Sequence, residues 1–153
     1  MAVLFDVAFL SNFQFYDANI LFSVAILFTL AVFDKRGRRV LIFSLATVFF
    51  FAILSSLSLW MILFGFLLLP LALNLICRRF FPEPNILTIL LFSLPFLIIF
   101  GLIILASAGE ISAFVFRVLI AFVVINQILI SLITSFYMLF GRYYFRKAGF
   151  IKG

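Results

Sequence analysis

Long apolar runs without a single charge constrain this chain more than any other feature. No charged residue falls between Arg39 and Arg78, between Glu83 and Glu110, or between Arg117 and Arg142. The runs are built from Leu, Ile, Phe and Val and lack the alternation that marks the strands of a transmembrane barrel. About 20 such residues cross the hydrocarbon of a bilayer as a helix, which satisfies every backbone N–H and C=O within itself. Composition points the same way. The chain is 68% hydrophobic and 10% charged, with a mean hydropathy of +1.43. Soluble domains are about half apolar and a quarter charged, and 153 residues cannot enclose so much apolar surface in a core of their own. The expected fold class is an all-α, polytopic transmembrane helical bundle, a single integral membrane domain over residues 1–153.

The expected spans lie near 19–33, 40–54, 61–77, 85–106 and 114–141, about five in all. They become six if the apolar opening is the remnant of a shortened first helix. Residues 1–10 are too short to span alone. They lack the basic start and small-residue cleavage site of a signal peptide, so 1–17 reads as an outer or interfacial segment. The turn at 34–39 (DKRGRR) has Gly37 as its natural bend. Ser55, Ser56 and Ser58 break the next apolar run, and Trp60 follows where an interfacial aromatic is expected. Pro82 and Pro84 end the third span, while Pro70 and Pro95 fall inside spans. The fifth span exceeds about 20 residues and should tilt or protrude. Residues 142–153 form a basic tail on the membrane surface. The 25 Phe residues read as lipid-facing filler.

Charge sets the orientation. In a five-span chain Lys35, Arg36, Arg38, Arg39, Arg78, Arg79, Arg142, Arg146, Lys147 and Lys152 share one side, and only Arg117 lies on the other. The positive-inside rule places the ten on the cytoplasmic face, with the C-terminus cytoplasmic and Asp6, Asp17 and Glu110 outside. The basic turn at 35–39 reads as topogenic charge. A patch for nucleic acid or anionic lipid is the sharper alternative. A net charge of +6 needs no nucleic-acid partner to explain it; the expected partners are the lipid bilayer and other membrane proteins.

Nothing in the chain reads as a reaction centre. There is no His and one Cys, Cys77, which removes the commonest general base and most zinc sites. No phosphate-binding Gly loop, paired carboxylates or nucleophile motif occurs, so neither enzyme activity nor a metal or cofactor is expected. Charges sit near predicted helix ends, whereas ion-coupled transporters carry them near the midplane. Uncharged polar residues do lie within spans. Gln127, Ser131, Thr134 and Ser135 recur at helical spacing on one stripe of the fifth helix. Ser131 and Ser135 also form a small-xxx-small pair that permits close helix approach. Asn19 and Ser23 lie four apart on the first span, and Asn74 and Asn126 within the third and fifth. These residues read as helix-packing and partner-interface positions, with a polar substrate path as the alternative.

The order of features resembles the MreD family, the small multispan subunit of the bacterial rod-shape complex. Residues 7–22 (VAFLSNFQFYDANILF) look like that family's first-span end, polar break and lead-in to the second span, here without its Pro. The basic turn at 35–39, the Ser-rich break at 55–58 and the RRFF at 78–81 follow in family-like places. The family's Asp and most of its glycines are missing from that break. The resemblance implies a non-catalytic scaffold in the bacterial inner membrane, serving cell shape and peptidoglycan elongation. Its partners would be MreC-like and wall-synthesis proteins. Two other readings stand beside it. One is a small transporter, or the substrate-binding membrane subunit of one, taking a neutral or hydrophobic solute through Asn74, Asn126 and Gln127. The other is an accessory subunit of an energy-converting complex.

Overall fold

A computed structural model of the protein describes residues 14–15, 18–19, 21–54, 58–81, 85–106 and 113–147, with side chains described for 21–54, 58–81, 85, 87–103 and 116–140. A short antiparallel pair, β1 (Gln14–Phe15) and β2 (Ala18–Asn19), precedes five helices. These are α1 (Phe22–Phe33), α2 (Arg38–Leu54), α3 (Leu59–Phe80), α4 (Ile86–Ala106) and α5 (Ala113–Lys147). Apart from the two-residue strands, the fold among the described residues is all-α. Two helical stretches, Leu59–Phe80 and Phe116–Phe140, are long and apolar enough to cross a membrane, and Phe22–Phe33 and Leu87–Ile103 are shorter apolar helices.

The local causes of these boundaries are readable. Gly37 turns the chain between α1 and α2 with φ +72, a conformation that costs a residue with a Cβ about 1–2 kcal/mol. Asn85 starts α4: its Oδ1 accepts the Thr88 N–H at 2.8 Å and the Thr88 hydroxyl at 2.9 Å, an N-cap that satisfies an otherwise orphaned donor. Pro70 has no N–H to give, and its ring crowds the carbonyl four residues back. The helix answers with a π-wound stretch at Phe64–Leu68 immediately before it, the wider winding that commonly absorbs such a misfit. Pro95 lies within a continuous α4.

Pairwise contacts establish an up-down-up-down-up order. Asn74 of α3 meets the C-terminal end of α1, so α1 and α3 run parallel. Leu21 meets Asn126 and Phe33 meets Tyr137, so α5 runs parallel to α1 as well. Ser93 pairs with Gln127, and a Cβ on Gly101 would fall 2.5 Å from a methyl of Leu119. α4 is therefore antiparallel to α5 and pressed against it through that glycine. The stack of Phe51 on Phe66 joins α2 to α3.

α1 is the centre of the bundle. It is apolar on all sides, and Val24, Ala25, Leu27, Phe28 and Ala31 are fully buried, as expected of a helix surrounded by others. Around it runs a chain of aromatic contacts. Phe51, Phe66, Phe100 and Phe122 link α2 through α5 at centroid spacings of 4.4, 4.9 and 6.2 Å, and Phe96 meets Phe28 edge-on at 5.3 Å. All six are buried. The Phe content therefore builds the core as well as the outer surface.

Several boundaries differ from the sequence reading; α2 and α3 each start two residues earlier, at Arg38 and Leu59. The segment expected to begin a helix at Asn19 is extended there, because Ala18 and Asn19 pair with Phe15 and Gln14 and their ladder replaces helical hydrogen bonds. α3 continues past Cys77 to Phe80. α5 runs through Gly141 to Lys147, so Arg142, Arg146 and Lys147 continue a helix rather than start a separate tail. Residues 1–13 and 148–153 lie outside the described residues.

Candidate functional site

The short central helix creates a physical problem. At 1.5 Å per residue its twelve residues rise only about 18 Å, and each end leaves backbone groups that the helix itself cannot satisfy. Each end is met by a buried asparagine from a neighbouring helix. At the start, Asn126 Oδ1 on α5 accepts the Leu21 N–H at 3.0 Å, while its Nδ2 donates to the Phe122 carbonyl at 2.9 Å. At the finish, Asn74 Nδ2 on α3 donates to the carbonyls of Ala31 and Asp34 at 2.8 and 2.9 Å. Both asparagines are almost fully buried. Sequence reasoning places them among ordinary packing residues. The signal that marks them is a first apolar run shorter than its neighbours, beside two longer runs each holding an Asn.

The stripe on α5 divides. Gln127 is half-buried and donates from Nε2 to Ser93 Oγ across to α4 at 2.7 Å. Its Oε1 and the Ser44 hydroxyl are buried without a hydrogen-bond partner among the described residues. Ser131 and the buried Thr134 turn back on their own helix, to the carbonyls of Gln127 at 2.8 Å and Ile130 at 2.6 Å. Ser135 is exposed, alongside Leu132, Phe136 and Leu139. Ser23 is buried on α1. Asn19, in β2, does not share a helix with it, and its side chain lies outside the described residues.

The other concentration of function-bearing groups is one end of the bundle. The turn after α1, the start of α2 and the end of α3 meet there, bringing Lys35, Arg36, Arg38 and Arg39 together with Arg78 and Arg79; all six are exposed. Arg142, Arg146 and Lys147 belong to the α5 backbone toward the same end, their side chains outside those described. Arg117 is at the opposite end. Asp34, the only carboxylate among the described side chains, lies beside Arg39 and turns its oxygens to backbone N–H groups. Its Oδ1 accepts the Arg36 N–H at 3.2 Å, and its Oδ2 accepts those of Arg39 and Val40 at 2.7 and 3.3 Å. It thereby caps the first turn of α2. Burial pushes its carboxyl up. The three N–H donors and the Arg39 charge outweigh that and hold it below the ordinary 3.8.

The Arg78 guanidinium donates to the Arg36 carbonyl at 3.4 Å, tying α3 to the turn. Between them lies a cleft of about 260 Å³ lined by Val32, Lys35, Cys77, Arg78 and Phe81.

Comparison of the chain with protein-family models, curated proteins and solved structures finds no match.

Proposed function

We propose that this chain is a five-span integral membrane protein, its basic end cytoplasmic, that serves as a non-catalytic scaffold or assembly subunit. The observation that carries the membrane part is the outer surface. Large apolar side chains stand exposed along every peripheral helix, among them Phe49 of α2, Phe64 of α3, Leu91 of α4 and Ile128 of α5. Soluble monomers rarely expose contiguous apolar patches beyond a few hundred Å². The described cations collect at the two ends, and Trp60, 72% exposed, sits at the rim opposite the basic end, where interfacial aromatics belong. The positive-inside rule supplies the orientation, and the inner-membrane location rests on the family resemblance.

The scaffold part is supported by how the interior polar groups are spent. A neutral-solute path would draw on Asn74, Asn126 and Gln127. Two of these cap the central helix and the third ties α4 to α5, so each already holds the bundle together. What remains for a partner is the outer apolar surface, above all the α5 face of Ile128, Leu132, Ser135 and Phe136, where small Ser135 permits close helix approach. An MreD-type role, with an MreC-like partner and wall-synthesis proteins, is the specific form of this proposal. It rests on the resemblance in residues 7–22 and the placement of the basic turns. Affinity purification in mild detergent from the native host tests it. Stable co-purification of MreC-like and wall-synthesis proteins, reduced by Ser135→Leu, is the expected result. Recovery of the chain alone, or with a nucleotide-hydrolysing partner, refutes it.

A further inference from the structure

We infer that the cleft between Lys35 and Arg78 is a binding site for the headgroup of an anionic phospholipid. The inference rests on the membrane reading above and gives the basic end a task beyond orientation.

The two cations come from sequence positions far apart and are brought to one cleft by Asn74, which fastens the turn to α3 four residues before Arg78. The fastening leaves little freedom. Gly37 packs so closely that a Cβ there would lie 2.9 Å from Asn74 Oδ1 and 3.2 Å from an Arg78 nitrogen. Arg78 spends one guanidinium nitrogen on the Arg36 carbonyl. Its other donors suit a phosphate, which a planar fork binds in pairs while Lys adds a point charge. Asp34 is the one carboxylate among the described side chains, and its oxygens turn to the N–H groups at the start of α2, so cations remain in excess around the cleft.

The remaining walls are apolar: Val32, Cys77 and Phe81. About 260 Å³ falls just under the usual range for a whole small-molecule ligand, which suits a headgroup whose chains stay outside. Ile76 and Phe80, one turn apart and exposed on α3, are the sequence neighbours of the lining residues Cys77 and Phe81 and offer apolar surface to lipid chains. A free anion would gain nothing from these walls; an amphiphile would use both parts. Basic pockets between helices on the cytoplasmic side are where anionic headgroups dock.

The full chain in detergent is titrated with short-chain phosphatidylglycerol and, separately, short-chain phosphatidylcholine, and bound lipid is counted by native mass spectrometry. Phosphatidylglycerol should be retained in preference. Lys35→Gln and Arg78→Gln should each weaken it about five-fold, with Arg78→Lys intermediate and Arg38→Gln, outside the cleft lining, close to wild type. Arg78→Gln also removes the tie to Arg36, so Lys35→Gln carries the test should that variant fold poorly. Equal retention of the two lipids overturns the inference, as does an equal loss from Arg38→Gln, which would mean diffuse attraction. Full displacement by inorganic phosphate at matching concentration would make this a free-anion site and also overturn it. If the chain never partitions with membranes, the membrane reading falls first; if it partitions but shows no lipid preference, only the site falls.

Discussion

Asn74 is the residue on which most depends. Both hydrogens of its amide are committed to carbonyls of the α1 C-terminus, in an interior where an unmet acceptor costs about 1–3 kcal/mol. Asn74→Leu should therefore lower stability by about that amount, seen as a lower melting temperature in detergent. Asn74→Asp should be worse, because it sets a carboxylate against two carbonyl oxygens. Stability unchanged by either substitution would remove the cap from the account. Asp34 gives a pH test. Its carboxyl is held below 3.8 in the fold, so its contribution is complete at neutral pH and is lost as the pH falls below about 4 through the lowered value. Melting temperature followed from neutral to acid pH should show a step there that Asp34→Asn removes. A step in the variant as well would assign the acid sensitivity to other groups.

At the scale of elements, Gly101 is the tightest constraint. α4 and α5 approach closely enough that any Cβ at that position meets Leu119 and Phe122. Gly101→Val should force the helices apart and cost about 1–3 kcal/mol, read as reduced thermal stability of the purified chain; an unaffected variant would mean the helices can part freely. The five helices themselves were legible because long apolar runs and charged turns are written directly in the residues. Their ends were less so. Hydrogen bonding of Ala18 and Asn19 to a neighbouring strand overrode an apolar run that reads as helix. Gly141 did not end α5, since a glycine weakens a helix without terminating it. Which Phe residues face inward was hidden because core and exposed positions here are equally apolar. Helix association in such surroundings depends on packing and polar contacts rather than on a difference in hydrophobicity. The asparagine caps were visible only as residue types, since their meaning depends on which helix ends lie beside them. The cleft joins Lys35 to Arg78 across an intervening helix, and no local pattern announces that.

For the whole molecule, the arrangement is a short buried helix wrapped by four longer ones. Six of the described cations sit at one end, with apolar side chains on the outer faces. On the reading proposed above, the apolar faces of this bundle lie against lipid and its basic end faces the cytoplasm. Cysteine labelling tests this placement most directly. In a Cys77→Ser background, a single cysteine replaces Arg38 or Arg117, and intact spheroplasts are treated with a membrane-impermeant maleimide before and after permeabilisation. The cysteine at 117 should react in intact cells and the one at 38 only after permeabilisation. Reaction of both before permeabilisation, or reaction at 38 alone, would contradict it.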